Sequence, residues 1–576
     1  MELVTIAYNA VHAKLHAPSR EVKLQVQSIL SYAVAGAEHA IAFKKGVWDG
    51  RSSFLDFKAG VFPAGFVHFV AAHLRRNGYA VNFVKKPLPE PLGPIKPVVD
   101  AFPEDPRYDY QMQTVERLVK HGQIIAQIAT GGGKSRIARL AYARINRMTL
   151  FITTRSILMY QMKDSFERDL KAPVSVLGDG QFGHTTSDGK QAVRKMCVGM
   201  VQTLAAKLKE KTVETEVEAV VTAIAKKELA QVKALEKKLL NTPGILPAEV
   251  VRQIQALEER QAKERQSARD IKANCAVKVH EHMAMRARVI ELLGRFELVI
   301  VEEAHEASAD DFYSVMRHCK SAHYRMALTA TPFMKADAEA NMRLMAVSGP
   351  IAIKVSEQML IDRGILAQPH FRFIPWAGKP SKLFKHTGWP AAYRLGITEH
   401  EWRNKTAAIA CKRFAEYGLT SMVLVQHTAH GDTIKRLMES LGLRVDFIQG
   451  EDDQAGRKAS LGRLGSGELD VLIGTTILDV GVDVPAVGHI CLLGGGKAEV
   501  QLRQRIGRGL REKKNGAPNV CFVTDFADDV NETLRNHAVQ RQSIIKDTPG
   551  FERFILEGGR DFDLDALGFK RQKLAA

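Results

Sequence analysis

Short apolar runs that alternate with helix-compatible segments constrain the fold of this sequence more than any other feature. Runs of this kind form buried parallel strands, and the intervening helices cover the faces of the sheet. The pattern occurs twice along the chain, so it predicts an α/β fold with two doubly wound parallel-sheet domains of similar size. The runs are residues 124–126, 150–152, 198–201, 298–301 and 325–328 in the first series, and 422–425, 445–448, 471–473, 489–492 and 520–523 in the second.

The chain has three further parts besides these two domains: a first domain, an insertion and a tail. A small first domain closes on the proline-rich residues 85–94, which predict an extended linker. Helix formers replace the alternation between Ala205 and about Leu293, with a break at 241–244, which predicts an antiparallel helical hairpin with an apolar stripe at its centre. The predicted organisation is an accessory domain at 1–92 that is expected to bind DNA, a sheet domain at 100–350 with the insertion at 205–293, a second sheet domain at 351–545 and a tail at 546–576.

Composition narrows the class of protein. The 576 residues carry a net charge of +18, which favours a polyanionic partner such as nucleic acid without identifying one. Six cysteines lie far apart, which excludes a disulfide framework and predicts no structural zinc. No apolar run reaches the roughly 18 residues of a membrane span, and Glu2 stands where a signal peptide needs positive charge. We therefore expect a soluble protein without membrane contacts, in a bacterial or phage-infected host cytoplasm.

Residues 129–135 read A-T-G-G-G-K-S between an apolar run and a helical stretch. Three glycines let backbone N–H groups converge on phosphate oxygens at a helix N-terminus, where Lys134 can reach the β and γ phosphates. Ser135 is then placed for Mg²⁺. The general P-loop pattern has glycine where Ile128 stands. The alternative interpretation is a glycine-rich turn that only caps a helix.

Two other clusters suggest phosphate chemistry. The run 298–301 ends in Glu302 and Glu303, two carboxylates at the carboxyl edge of a parallel strand, which could divide into a metal ligand and a group that orients water. A solvated acidic turn is the alternative. Residues 501–511 contain four arginines, which could stabilise transition-state charge from another domain or instead form a basic nucleic-acid-binding helix.

Taken in order, these elements resemble the motifs of the superfamily 2 helicases, from Gln111 to Arg511 across two tandem RecA-like domains. Glu302 departs from the family, which usually has aspartate there. The residues of several motifs are most similar to those of the XPB, RecG and phage UvsW-type group. Two short segments of the first domain are similar to the first domain of UvsW-type branch-migration helicases. The matching segments are 108–111 (Q motif), 129–135 (I), 153–161 (Ia), 201–204, 302–305 (the D-E-A-H position), 329–332 (III), 474–485 (V) and 504–511 (VI), with 48–50 and 62–65 in the first domain.

The resemblance implies ATP and Mg²⁺ as ligands and assigns a role to each matching residue. The implied catalytic residues are Glu303, Gln504, Arg508 and Arg511. The implied ATP contacts are Tyr110, Gln111, Thr130, Gly131, Gly132, Gly133, Lys134, Ser135, Gly481 and Asp483, with Ser135 and Glu302 as metal ligands. The implied nucleic-acid contacts are Thr154, Arg155, Gln202, Thr203 and Thr475. His305, Thr329 and Thr331 are implied to couple the two activities.

The expected function is that of an ATP-dependent DNA helicase or translocase acting on branched, forked or single-stranded DNA in recombination, repair or replication. The helical hairpin is expected to contact duplex or a protein partner. Three alternatives stay open: a motor that translocates on duplex for a restriction or remodelling complex, an RNA helicase, and an ATPase-inactive nucleic-acid-binding scaffold, which only Glu302 favours.

Overall fold

The structure, a computed structural model, shows two parallel-sheet domains, a small first domain and a helical insertion. It describes residues 2–34, 36–101, 105–185, 191–240, 247–266, 268–303, 309–333, 338–450, 452, 454–475, 487–496, 502–503, 506–507, 509–513 and 518–572.

The first domain is a small α/β unit. Its described strands form a sheet in the order β5-β2-β1-β6, in which β1 runs antiparallel to β2 and parallel to β6. Alternate residues of β2 are buried, as expected for a strand with one face on a core. The elements are β1 (Leu3–Tyr8), β2 (His12–His16), α1 (Arg20–Ile29), β3 (Ser31–Ala33), α2 (Ile41–Lys44), β4 (Arg51–Ser53), β5 (Val61–Pro63), α3 (Val67–Arg76) and β6 (Ala80–Lys85).

The first RecA-like domain contains, among the described residues, a sheet in the order β10-β9-β13-β8-β14-β15-β7-β16. All neighbours are parallel except β9 and β10, and the five predicted runs form β7, β8, β13, β14 and β15. The elements are α4 (Asp109–His121), β7 (Gln123–Ile128), α5 (Lys134–Ile145), β8 (Thr149–Thr153), α6 (Ser156–Leu170), β9 (Val174–Gly178), β10 (Gln181–Phe182), β11 (His184–Thr185), β12 (Gln191–Ala192), β13 (Met196–Met200), α7 (Val201–Leu208), α8 (Val213–Leu240), α9 (Pro247–Gln266), α10 (Ala268–Arg295), β14 (Leu298–Glu302), α11 (Ala309–His318), β15 (Tyr324–Thr329), α12 (Ala338–Ser348) and β16 (Ile351–Val355).

The proline-rich segment between these domains is extended, and it is bound to the domain surface. The amides of Leu92 and Gly93 donate to the carbonyls of Ile145 and Arg144, each at 3.0 Å, and the Arg144 side chain donates back to the Gly93 carbonyl at 2.8 Å. These bonds satisfy carbonyl groups that the end of α5 would otherwise leave open. The linker therefore fixes the first domain and does not act as a free tether.

The first domain is packed rigidly against the first RecA-like domain. A Cβ on Gly65 would lie 2.0 Å from the Met345 carbonyl oxygen, so the two backbones touch directly. Phe54 of the first domain meets Tyr313 of α11 with ring centroids 5.9 Å apart. The apolar side chains of both domains form one continuous buried cluster. The two domains thus share a core.

The insertion differs in its limits from the predicted hairpin. Helix α7 is buried against the domain and does not belong to the arm, and the end of α10 also contributes core residues such as Val289 and Leu293. Helix α8 packs on α10, which confirms the antiparallel arrangement, while the predicted break at 241–244 lies outside the described residues. Val221 and Leu229 are 53% and 56% exposed. The apolar stripe expected at the centre of the hairpin is therefore only partly covered within the described residues.

The second RecA-like domain contains, within the described ranges, a fully parallel sheet in the order β17-β22-β21-β18-β20-β19. The five predicted runs form five of these strands. The elements are α13 (Glu357–Asp362), β17 (Gln368–Pro375), α14 (Trp389–Tyr393), α15 (Glu401–Glu416), β18 (Ser421–Leu424), α16 (Thr428–Ser440), β19 (Val445–Ile448), α17 (Gln454–Ser466), β20 (Val471–Gly474), β21 (His489–Leu492), β22 (Val520–Ala527) and α18 (Glu532–Asp547).

Candidate active site

The glycine-rich loop connects the carboxyl end of β7 to the first residue of α5. Gly131 and Gly133 have φ values of 84° and 79°, in the left-handed region that favours glycine. Gly133 is the N-cap of α5, and no side chain caps the helix there. The first-turn amides of α5 are therefore available to an anion, which the helix dipole also favours.

Lys134, Glu302 and Glu303 meet beside this loop. The Lys134 Nζ lies 3.6 Å from the Glu303 Oε1, and both side chains are largely buried. Glu302 ends β14, and Glu303 turns away from the strand with a φ of 52°, an unusual conformation for a residue other than glycine. The carboxyl ends of β7 and β14 thus bring together residues far apart in sequence.

Glu302 is a buried carboxyl group, 5% exposed, whose Oε2 has no hydrogen-bond partner among the described residues. Burial and the adjacent Glu303 carboxylate raise the pKa of Glu302 to about 7, and Lys134 opposes this rise. Ser135 lies in the first turn of α5, next to Lys134. Carboxylate and hydroxyl oxygens are the ligands that Mg²⁺ prefers, so the unpaired oxygen of Glu302 and the Ser135 hydroxyl fit a magnesium ion.

The side chains of Tyr110 and Gln111 form hydrogen bonds with the backbone of the phosphate loop. The Tyr110 hydroxyl donates to the Gly132 carbonyl at 2.8 Å, and the Gln111 Nε2 donates to the same oxygen at 3.4 Å. Arg136 donates to the Gln111 Oε1 at 2.6 Å, and the Gln111 amide leaves no room for a Cβ on Gly133. Their polar atoms therefore contact the loop backbone, and their role as adenine contacts stays a prediction.

Arg136 is a residue that the sequence did not single out. Its guanidinium bonds to Gln111 and to Asp100, with the Nε 3.1 Å from the Asp100 Oδ2, and Arg139 contacts the same carboxylate at 3.2 Å. The signal that could have revealed Arg136 is its position in the first turn of α5, directly after Ser135. It ties the loop helix to the segment before α4.

The second RecA-like domain covers the loop from the other side. A Cβ on Gly507 would lie 2.8 Å from the Thr130 Cβ, and one on Gly131 would lie 2.7 Å from the Leu366 Cδ2. The Ala367 amide donates to the Leu510 carbonyl at 2.7 Å. The backbone of the predicted arginine segment therefore reaches the phosphate loop. Arg511 is described and exposed, whereas Gln504, Arg508, Gly481 and Asp483 lie outside the described residues.

The predicted nucleic-acid contacts also gather at strand ends. Thr154 and Arg155 follow β8, while Gln202 and Thr203 open α7 after β13. Because β8 and β13 are adjacent parallel strands that pair Thr153 with Met200, these four residues lie side by side. Thr475 directly follows β20 in the second domain.

The predicted coupling residues lie partly within the described structure. Thr329 ends β15, and its Oγ1 accepts a hydrogen bond of 3.2 Å from the Thr331 amide. Thr331 is 4% exposed. His305 lies outside the described residues.

Comparison with known families agrees with this arrangement. Residues 105–334 match the family described as Type III restriction enzyme, res subunit, and residues 406–513 match the family described as Helicase conserved C-terminal domain. The first match contains the phosphate loop and both glutamates, and the second contains Thr475 and the arginine segment. The chain belongs to the superfamily 2 helicases.

Individual relatives are distant. "Putative helicase 22" of a Sulfolobus islandicus filamentous virus is 27% identical over 250 residues, 41% of this chain and 43% of that protein. "DNA 3'-5' translocase XPB2" of Sulfurisphaera tokodaii is 24% identical over 288 residues, 43% of this chain and 63% of that protein. The matches thus take in less than two thirds of either relative. A crystal structure of T4 UvsW aligns with 95% of this chain and 98% of its own at 16% identity and a TM-score of 0.41.

The described residues were also searched for membrane-spanning helices, disulfides and metal sites. None of their helices is long and apolar enough to cross a membrane. All six cysteines are buried and free, and no cluster of three or more metal-ligating side chains was found in the described ranges.

Proposed function

We propose that this chain is an ATP-dependent DNA helicase or translocase that acts on branched or forked DNA during recombination, repair or replication. The observation that carries the proposal is the meeting of Lys134, Glu303 and the unpaired Glu302 carboxylate at a glycine loop covered by the second domain. Such a loop and acid pair suit phosphoryl transfer, and a two-domain cleft can convert it into motion along a strand.

The Lys134–Glu303 contact suggests how ATP prepares its own hydrolysis. Bound phosphates would draw the Lys134 ammonium away from Glu303, since a polyphosphate carries more negative charge than one carboxylate. Glu303 would then orient water for in-line attack on the γ-phosphorus and accept its proton, with ADP as the leaving group. Ser135 and Glu302 would hold Mg²⁺, which neutralises phosphate charge.

The second domain would supply cationic charge. Gly507 of the arginine segment lies against Thr130 of the phosphate loop. The arginine segment would therefore move with any closure of the cleft between the two domains. Arg508 and Arg511 are proposed to stabilise the transition state, with Gln504 beside them, and Gly481 and Asp483 to contact ATP. Gln111 and Tyr110 are proposed to contact adenine. Because their side chains also bind the loop backbone, adenine binding would affect the position of the loop.

Nucleic acid would cross the strand ends of both domains. Thr154, Arg155, Gln202 and Thr203 form one cluster, and Thr475 forms the contact in the second domain. Hydroxyl, amide and guanidinium groups bind the sugar–phosphate backbone, so we expect weak sequence preference and steep salt dependence. The relative named as a DNA 3'-5' translocase supports DNA as the substrate.

A second candidate function is that of a motor that translocates on duplex within a restriction or remodelling complex. The match to the family named for the Type III restriction enzyme res subunit favours it. This candidate predicts DNA-stimulated ATPase without strand displacement, whereas the first predicts displacement on forks and junctions.

One panel of substrates tests the proposal. Forks, four-way junctions, blunt duplexes and matched RNAs are scored for ATPase stimulation and for unwinding. We expect Lys134→Ala to abolish both activities while DNA binding persists, and Lys435→Ala, a half-exposed lysine of α16, to change neither. Normal turnover in Lys134→Ala would refute the site, and stimulation by RNA alone would refute DNA as the substrate.

A further inference from the structure

A groove separates the first domain from the first RecA-like domain at the amino ends of β7 and β16. It encloses about 270 Å³, and its floor is mostly apolar. The ends of β1, β6 and α4 and the start of α3 line it. Its polar side chains include His68, Lys85, Lys86, His121 and His323, and none of the described residues that line it is acidic.

A hydrogen bond joins this basic surface across the two domains, and ring contacts extend it within the first domain. The Lys85 Nζ donates to the His121 carbonyl at 3.3 Å, which ties the end of β6 to the end of α4. On the other side of Lys85, the Phe83 ring carries the Arg75 guanidinium at 5.3 Å and the His68 ring at 5.8 Å. Lys120 and Arg117 continue the same surface along α4 and are exposed.

The electrostatics of these groups lack internal compensation. Burial lowers the pKa of His121, and so do four neighbouring groups of positive charge, which are Lys120, His68, Lys85 and Arg117. Burial also lowers the pKa of His68, with Lys85 and Arg75 acting in the same direction. A crowd of like charge around a groove without lining acids is favourable only when an anion neutralises it.

The position of this surface separates it from the predicted nucleic-acid path. The groove lies where β7 begins, and the phosphate loop lies where β7 ends, roughly 20 Å away for a strand of this length. Thr154 and Gln202 share the carboxyl edge with the loop. A strand held there would leave this surface free for another segment of nucleic acid. Because the two domains share a core, the distance between both surfaces is fixed.

We propose that the basic band formed by Arg75, Lys85, Lys86, Lys120 and Arg117 binds the phosphate backbone of a duplex arm of branched DNA, while the RecA-like domains hold a different strand. The inference rests on the proposed function, since it needs a substrate with more than one arm. Two phosphate-binding surfaces on one rigid unit would orient a branch point relative to the motor.

Salt dependence of DNA binding by the full chain tests the band. Lys86→Gln/Lys120→Gln removes two exposed charges for which the described structure gives no hydrogen bond by the side chain. Lys14→Gln/Lys58→Gln removes two exposed charges at the opposite edge of the first domain's sheet and serves as the matched control. Each lost phosphate contact lowers the slope of log K against log salt by about 0.9. We expect the slope for a four-way junction to fall by about two in the test variant and to stay constant in the control.

Binding of a single-stranded oligonucleotide, and the ATPase that it stimulates, should be the same in both variants and the parent. An unchanged junction slope, an equal fall in the control, or an equal fall with single strands would overturn the band. Failure of the proposed function has a different signature, because a parent protein without ATPase or unwinding on any substrate would refute it whatever the slopes are.

Discussion

Each RecA-like domain has a pair of acidic residues near the carboxyl end of a parallel strand, and the surroundings of the two pairs differ. Glu302 and Glu303 stand at the end of β14 with one described cation, Lys134, at 3.6 Å. Asp525 and Asp528 stand at the end of β22, where Arg541 donates two hydrogen bonds to Asp525 at 2.8 and 3.0 Å and Arg403 binds Asp528.

The difference separates a ligand site from a structural network. In the second domain two guanidinium groups balance two carboxylates, and all four side chains are at most 4% exposed. In the first domain Glu302 is 5% exposed and forms no ion pair with a described residue. A buried charge without a partner is costly, so this carboxylate predicts a cation that arrives with the ligand. Ion pairing, and not burial, thus distinguishes Glu302 from the two aspartates.

The largest effect that we expect from the difference between the two acid pairs is on the rate of ATP hydrolysis. We expect Glu303→Gln to lower ATP hydrolysis by about 10²–10⁴-fold while ATP still binds, because glutamine cannot accept a proton from water. Glu302→Asp should keep or raise activity, since either carboxylate can hold a metal ion. Single-turnover hydrolysis and nucleotide binding are measured for both variants. Hydrolysis at the parental rate by Glu303→Gln would show that the two acids do not divide the roles in this way.

The next effect is on stability and should appear only in the second domain. Arg541→Met leaves Asp525 buried and uncompensated, which costs about 3–5 kcal/mol of the free energy of unfolding. Lys134→Met should cost much less, because Glu302, whose pKa is raised by burial, can take up a proton in its absence. Denaturant unfolding of both variants measures the difference. Equal destabilisation would remove the distinction between the two acid pairs, and a double variant with Asp525→Leu should recover part of the loss.

A smaller effect of opposite sign in the two domains is expected with pH. Burial lowers the pKa of His430 and of His489 to about 3, so the folded second domain loses stability as pH falls below 6.5, where the unfolded chain takes up protons first. Glu302 has a raised pKa, about 7, so its burial penalises the first domain least below pH 4.5 and increasingly as pH rises to 7.

The expected loss is about 1 kcal/mol for each buried imidazole between pH 6.5 and 5.5, because the unfolded imidazole is already half protonated at pH 6.5. Three of the four tryptophans, Trp376, Trp389 and Trp402, lie in the second domain. In a Trp48→Phe background, tryptophan fluorescence therefore follows the unfolding of that domain, measured in EDTA to exclude metal ions. His489→Gln should remove part of the slope because the replacement does not titrate. A pH-independent second domain would contradict the burial of both imidazoles in neutral form.

The sequence predicted ten strands from their apolar runs, including the edge strand β19, and missed others such as β9 and β17. The run at 471–473 is apolar throughout and forms β20 in the sheet interior. Strand β17 reads Q-P-H-F-R-F-I-P and lies at the sheet edge, where polar residues and prolines are tolerated, so periodicity gave no signal.

The site was predictable to a similar extent. The order of the sequence motifs predicted that Lys134, Glu302 and Glu303 lie close together, because the carboxyl ends of the strands of a parallel sheet meet at one edge. The contacts of Gln111 with the loop and the pairing of Asp525 with Arg541 could not be predicted. Both depend on side chains from distant segments whose residue types are usually found at the surface.

The described residues of the helical insertion contact neither acid pair, so its removal should have the smallest effect on ATP hydrolysis. Its root is held by the domain: the Arg286 Nε donates to the Leu208 carbonyl at 2.8 Å, and the His282 Nε2 lies 2.8 Å from the Lys209 carbonyl. Deletion of all of 205–293 would therefore remove buried core residues as well as the arm.

Replacing residues 216–276 by a short Gly/Ser linker leaves this root intact, because α8 and α10 lie side by side and their cut ends are close. We expect basal ATPase within about twofold of the parent, since no residue near the phosphate loop is lost. Processive unwinding, or capture of a protein partner, should fall, because a long ordered arm costs conformational entropy that a contact must offset. Both are measured on forks of increasing length, with Val221→Ser/Leu229→Ser as a milder variant that removes only exposed apolar groups. Unchanged unwinding of every fork by the linker variant would refute a role of the arm in DNA handling, and a loss of basal ATPase would place it within the catalytic domain instead.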